Sequence, residues 1–182
     1  MGIIKKYEFN EKLSEAQEGE KIVIDYLLSL PYVIEVQDVR DFPEYRRKDI
    51  DFLVHIYDKK RKKFYHESIE VKTDKYYRTG NIFAETISNI NRNTKGCFVK
   101  TECDYMYYLF SPQNILYILP MKKVKKWFLD NYDDFITKIT STCDTNGTVL
   151  YRSLGKLIPR ERISKEVQGI KIIDLNSKNK KI

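Results

Sequence analysis

Apolar positions recur in steps of three and four along residues 11–30. Leu13, Ala16, Val23, Leu27 and Leu30 share one face with Glu20, which predicts an amphipathic helix. Asn10 is the expected N-cap, Glu11 sits in the first turn, and Pro31 ends the run. The period then changes. "YVIEVQDVR" at 32–40 reads as a strand, and "DIDFLVHIY" at 49–57 alternates strictly. Ile50, Phe52, Val54 and Ile56 fall on one side of that strand, with Asp49, Asp51, Leu53, His55 and Tyr57 on the other. "DKKRKK" makes a polar connection to "FYHESIEVK" at 64–72, a strand expected to run antiparallel to the one before it. His66, Ser68, Glu70 and Lys72 share one face of this second strand.

Beyond a loop at Gly80 and Asn81, "IFAETISNI" suits either strand or helix. "GCFVKT", "DYMYYLF" and "ILYIL" read as strands. From Pro120 onward Val124, Trp127, Phe128, Phe135, Ile136 and Ile139 can share a helical face, with a break near Asn131. "GKLIPRERI" and "GIKIIDL" are further strand-like pieces, and "NSKNKKI" should fray. The expectation is α/β, a mixed central sheet flanked by helices. Residues 1–140 would form the core, and 141–182 a strand-rich extension packed on the same domain.

Charge adds a partner class. The 182 residues carry a net charge of +7, and the excess is clustered. The clusters are Arg46, Arg47 and Lys48; Lys59, Lys60, Arg61, Lys62 and Lys63; "KKVKK" at 122–126; and "KNKK" at 178–181. Clustered cations suit a polyanion, because each one set against a phosphate releases counterions. A solvated lysine-rich surface is the plainer reading. No apolar run approaches the roughly 20 residues a membrane span requires. Cys97, Cys103 and Cys143 form no metal-binding spacing and read as free thiols in a reducing compartment. With no targeting segment at the start, a cytoplasmic location is expected.

Two features on the polar faces bear on chemistry. Asp51 on one strand and Glu70 on its neighbour come within a few ångströms if the strands pair. Two carboxylates at that range repel unless a cation lies between them. An all-oxygen donor set suits Mg²⁺ or Mn²⁺. Lys72, on the same face as Glu70, would point at that spot, where it could orient a water and stabilise charge on a phosphate. Glu20 interrupts an otherwise apolar helical stripe. Read singly, Glu70 and Lys72 are an ordinary surface ion pair. Asp49 competes with Asp51 for the ligand position. His55 and His66 read as surface histidines.

A helical Glu, a strand Asp and E-x-K on the adjoining strand together resemble the PD-(D/E)XK nucleases of restriction-endonuclease-like fold. "GEKIVIDYL" at 19–27, "DIDFLV" at 49–54 and "IEVKTD" at 69–74 look like segments of small bacterial and phage members, including Holliday-junction-resolvase-like ones. "TGNIFAE", "KTECDYMYYLF" and "ILYILPMKKVKKWF" extend the resemblance to about residue 130. It implies Asp51 and Glu70 as metal ligands, joined by the carbonyl of Val71 and by Glu20 directly or through water. It implies Lys72 as the residue that positions the attacking water. The reaction would be Mg²⁺- or Mn²⁺-dependent hydrolysis of DNA phosphodiesters, with branched DNA as one candidate substrate. Such a protein would work in a bacterial host's cytoplasm if phage-encoded, and a homodimer would suit cutting of two strands. Ile50 stands where the literal signature has proline. The alternative is a nucleic-acid-binding protein that keeps the fold and does not cut. The parts of Glu85, Lys100 and Asp104 stay open.

Overall fold

The computed structural model describes the backbone of residues 5–180 and the side chains of 13–177. In chain order the elements are β1 (Lys5–Glu8), α1 (Phe9–Leu28), β2 (Val33–Asp38), α2 (Pro43–Arg46), β3 (Phe52–Asp58), β4 (Lys63–Asp74), β5 (Asn81–Asn89) and β6 (Thr94–Lys95). They continue with α3 (Cys97–Lys100), β7 (Tyr105–Phe110), β8 (Ile115–Pro120), α4 (Met121–Asp130), β9 (Ile136–Cys143), β10 (Val149–Pro159), α5 (Arg160–Glu166) and β11 (Lys171–Asp174). The fold is α/β, with a mixed six-stranded sheet flanked by helices.

The chain divides into two compact units, each gathered from three separated stretches. One comprises Met1–Gln17, Arg78–Lys100 and Lys123–Gln168; the other comprises Glu18–Tyr77, Thr101–Lys122 and Gly169–Ile182. The boundary expected at residue 140 falls inside β9, which pairs with β1 on one side and β10 on the other.

The first unit is built on a five-stranded sheet in the order β1-β9-β10-β5-β6. Its aromatic core includes Phe98, Phe128 and Phe135, the last two stacked within 5° of parallel. Two sequence expectations fail here. "GCFVKT" is not a strand, because the chain turns helical at α3, where Lys100 N–H donates to the Gly96 carbonyl at 3.0 Å. The helix begun near Pro120 stops at Asp130, and Ile136 and Ile139 lie in β9. Asn131 ends it by donating its side-chain amide to the Trp127 carbonyl at 2.8 Å. The spacing of Phe135, Ile136 and Ile139 fits both periods, so pattern alone could not decide.

The second unit carries the six-stranded sheet in the order β11-β8-β7-β4-β3-β2. Every pairing is antiparallel except β4 with β7. Alternation sends Phe52, Val54 and Ile56 of β3 and Ile69 and Val71 of β4 to one face, where Val23 and Leu27 of α1 complete a buried cluster. The expected apolar stripe is thus real in its second half. Leu13 is instead 50% exposed, and α1 begins at Phe9, so Asn10 lies within its first turn and is not its cap. Cys97, Cys103 and Cys143 are free thiols. Among the described residues no helix is long and apolar enough to cross a membrane.

Candidate active site

The site forms where β4 changes partners. Its first half pairs with β3 and its second half with β7, and Ile69 belongs to both ladders, opposite Phe52 and Tyr105. Asp51 lies just before β3 and extends the ladder by one bond, its N–H donating to the Ile69 carbonyl at 2.9 Å. Beyond that point β3 offers β4 no backbone. The Asp51 side chain takes over: its Oδ2 accepts the Val71 N–H at 2.8 Å. A residue's N–H and C=O point to the same edge of a strand. The Val71 carbonyl therefore faces the same opening as the Asp51 carboxylate.

Glu70 is one position away, on the sheet face opposite Ile69 and Val71. It is only 8% exposed, and its carboxyl hydrogen-bonds with that of Asp51. Burial holds the Glu70 pKa well above the ordinary glutamate value, and the neighbouring Asp51 raises it further. Asp51 is raised too, by burial, against the pull of its bond to Val71. Each acid thus disfavours ionisation of the other, as carboxylates forced together do. Lys72 stands on the same face and favours the charged form of both. Asp49 adds negative charge near Glu70, but the direct bond to Glu70 is made by Asp51.

Glu20 reaches this cluster because of the glycine before it. A Cβ on Gly19 would lie 2.0 Å from Thr73 Oγ1, so only glycine lets α1 run this close to β4. Glu20 then comes within electrostatic reach of Asp51. Burial raises its pKa, and Arg40 opposes that rise through an ion pair at 2.5 Å. The same guanidinium binds Asp38 at 2.6 Å and lies over the Phe52 ring at 5.1 Å. Arg40 also favours the ionised form of Asp51. Sequence reasoning missed it: nothing marks Arg40 as different from the chain's other cations until the end of β2 is folded against α1.

All four acid and lysine candidates therefore converge in one unit. The two basic clusters part company. Arg46, Arg47 and Lys48 are exposed and adjoin Asp49, whose N–H donates to the Arg46 carbonyl at 3.3 Å. Lys48 pairs with Glu102 at 3.4 Å. Lys59 through Lys63 form the exposed tip of the β3–β4 hairpin. Lys63 and Glu70 are seven positions apart on one strand, roughly 23 Å at about 3.3 Å per residue. Adjacent in sequence to the strands that carry the acids, this second cluster lies at the far end of the hairpin from them. The lysines at 122–126 belong to α4, and the side chains of "KNKK" lie outside those described.

No family model, curated protein or solved structure matches this chain. Its chemistry is read from the side chains alone. Asp104 is structural: its carboxylate accepts from both the N–H and the hydroxyl of Ser68, at 2.8 and 2.7 Å, where β7 has not yet begun. Glu85 and Lys100 belong to the other unit. His55 and His66 face each other across the hairpin, ring centres 6.1 Å apart.

A divalent cation fits the donor set. Among the described residues no three His, Cys, Asp or Glu side chains gather as a metal cage. Mg²⁺ seldom needs one: it is typically held by one or two carboxylates, with waters and substrate phosphates completing its shell. Asp51 and Glu70 supply two adjacent carboxyls whose mutual repulsion a cation would relieve, and the Val71 carbonyl adds a third oxygen at the same edge.

Proposed function

We propose that this chain is a Mg²⁺- or Mn²⁺-dependent DNA endonuclease of the PD-(D/E)XK type. One observation carries the reading: the hydrogen-bonded carboxyl pair of Asp51 and Glu70, with Lys72 on the same face, at the point where β3 ends and β4 continues. A merely solvated ion pair does not bury a glutamate to 8% exposure beside a second acid. The separation of β3 from β4 at this point supports a restriction-endonuclease-like arrangement.

Asp51 and Glu70, in their ionised forms, would hold the cation together with the Val71 carbonyl. What the cation supplies is positive charge against the phosphate oxygens. Lys72 orients the attacking water and donates to the phosphate as charge builds there. Arg40 favours the ionised form of Glu20 and fixes its direction, so that Glu20 would reach the site through water. Arg46, Arg47 and Lys48 grip neighbouring phosphates at this end of the sheet.

The test is a panel of linear, nicked, flapped and four-way DNA with Mg²⁺ or Mn²⁺, run beside Lys72→Ala and Asp51→Asn. Both variants should bind DNA and lose cutting. Parent-rate cutting by Lys72→Ala removes that residue from the mechanism. DNA held by the parent protein without cleavage of any substrate replaces this reading with the non-cleaving one.

A further inference from the structure

The second unit holds a cavity of about 470 Å³ that the carboxylate site does not use. It exists because α1 is shorter than the sheet it covers. Val23 and Leu27 roof the central part of β4, α1 ends at Leu28, and the chain turns away at Pro31. Past that point the face of β3 and β4 toward their hairpin is only partly covered: Val54 and Ile56 stay buried, whereas Tyr65 is exposed. That face becomes the cavity floor, formed by Val54, Ile56, Tyr65, Glu67, Tyr107 and Ile118.

The lining is chemically uneven. Its volume suits a small organic molecule. Its aromatic surface is tyrosine throughout, and its two acids differ: Asp58 accepts the Lys60 and Arg61 N–H groups and pairs with Arg61, whereas Glu67 lies in the lining with Tyr32, Tyr65, Tyr105 and Tyr107. Burial raises the pKa of each of these four hydroxyls, and the negative charge of Glu67 is the next cause in every case. The four phenols therefore line the same cavity as this carboxylate and lie within its electrostatic reach. Glu67 is half-buried, and no hydrogen bond or ion pair to its carboxylate is found among the described residues. A partly desolvated acceptor without a donor is a costly arrangement unless a ligand supplies one. Lys59 and Lys60, both exposed, also line the cavity, and Lys171 lies within electrostatic reach of Glu67. The hairpin cluster that lies far from Asp51 and Glu70 thus borders this cavity.

We propose that the cavity binds an unpaired nucleotide whose base carries an exocyclic amino group. The base lies among the tyrosine rings, its amino group donates to Glu67, and its phosphate meets Lys59 and Lys60. Aromatic side chains stack on any base, whereas a carboxylate, which only accepts, selects those with a donor on the facing edge. An organic cation would also suit tyrosines and an acid. Three lysines line the cavity against Glu67 and an Asp58 already paired with Arg61, which disfavours a cation and favours an anionic group on the same ligand. The nucleotide can be free or can be an unpaired residue of a nucleic acid strand. The inference does not rest on the carboxylate pair, and EDTA in every measurement separates its failure from failure of the nuclease reading.

Calorimetric titration of the full chain with CMP, UMP, GMP and IMP tests it, because each pair differs at the amino position. CMP should bind at least about tenfold more tightly than UMP, and GMP than IMP, the effect of one hydrogen bond to a charged group. Glu67→Gln should remove both preferences. Lys59→Glu with Lys60→Glu, both side chains exposed on the turn, should weaken CMP severalfold and leave cytidine, which lacks the phosphate, unchanged. A DNA duplex with one bulged cytidine that displaces CMP assigns the ligand to nucleic acid; failure to displace assigns it to the free nucleotide. Equal binding within both pairs, no binding of any nucleotide, or preferential binding of choline overturns the proposal.

Discussion

The Asp51 carboxylate accepts the backbone N–H of Val71 at 2.8 Å, so one acid of the site completes the hydrogen bonding of the strand that carries the other. Removing it has a structural cost apart from any chemical one. Asp51→Ala leaves a buried N–H without an acceptor and should destabilise the protein by about 1–3 kcal/mol. Asp51→Asn keeps an acceptor oxygen and should retain most of that stability while losing Mg²⁺ binding. Thermal denaturation beside Mg²⁺ titration separates the two effects. Equal stability of Asp51→Ala and the parent would mean that water replaces the carboxylate at Val71.

Glu70 sets a pH dependence of definite sign. Its folded pKa lies well above the unfolded value, so the protonated form is favoured by folding. The stability it contributes is present below the ordinary glutamate pKa and declines as pH rises toward the folded value. The metal-free protein should therefore lose stability through this group as pH rises above the ordinary glutamate pKa. Glu70→Gln should raise the melting midpoint at the upper end and change it little at the lower, with about 1 kcal/mol corresponding to ~2–4 °C in a chain of this size. Mg²⁺ should protect the parent more as pH rises, because protons compete for the same oxygens. A midpoint for Glu70→Gln at or below that of the parent at the upper pH would contradict the raised pKa of the buried pair.

Gly19 is where α1 and β4 touch. Gly19→Ala places a methyl group 2.0 Å from Thr73 Oγ1 and must push the two elements apart. We expect a loss of about 1–3 kcal/mol, the usual cost of overpacking. Thr73→Ala should recover most of it, since it removes the clashing hydroxyl. A double-mutant cycle reads this coupling directly; additive losses would show that the contact does not limit the approach of the helix.

The two basic clusters should behave differently under charge reversal. Substituting Arg46, Arg47 and Lys48 by Glu should weaken DNA cleavage by tenfold or more and reduce its salt dependence, with each lost phosphate contact lowering the salt slope by about 0.9. Reversing Lys59 and Lys60, roughly 23 Å or more along the hairpin from Glu70, should leave the cutting of short linear duplexes within about threefold of the parent. Equal losses from both sets would place the duplex along the whole hairpin.

The period-two alternation of residues 49–57 and 64–72 determined which side chains of β3 and β4 enter the core and which share a face with Glu70 and Lys72. The three-and-four stripe determined that Val23 and Leu27 cover them. Those are local rules of backbone geometry, legible wherever one face is buried. The sequence could also nominate Glu20, since an acid on an apolar stripe is conspicuous. It could not show that Asp51 lies just outside its strand and bonds to Val71, because that depends on where β3 stops relative to β4. Nor could it find Arg40, whose ion pair with Glu20 joins residues 20 positions apart, or separate two basic clusters placed at opposite ends of one hairpin. Register, strand length and chain crossing are set by the balance of all contacts in the folded unit. No short window of sequence contains them, and at this site they decide which charges meet.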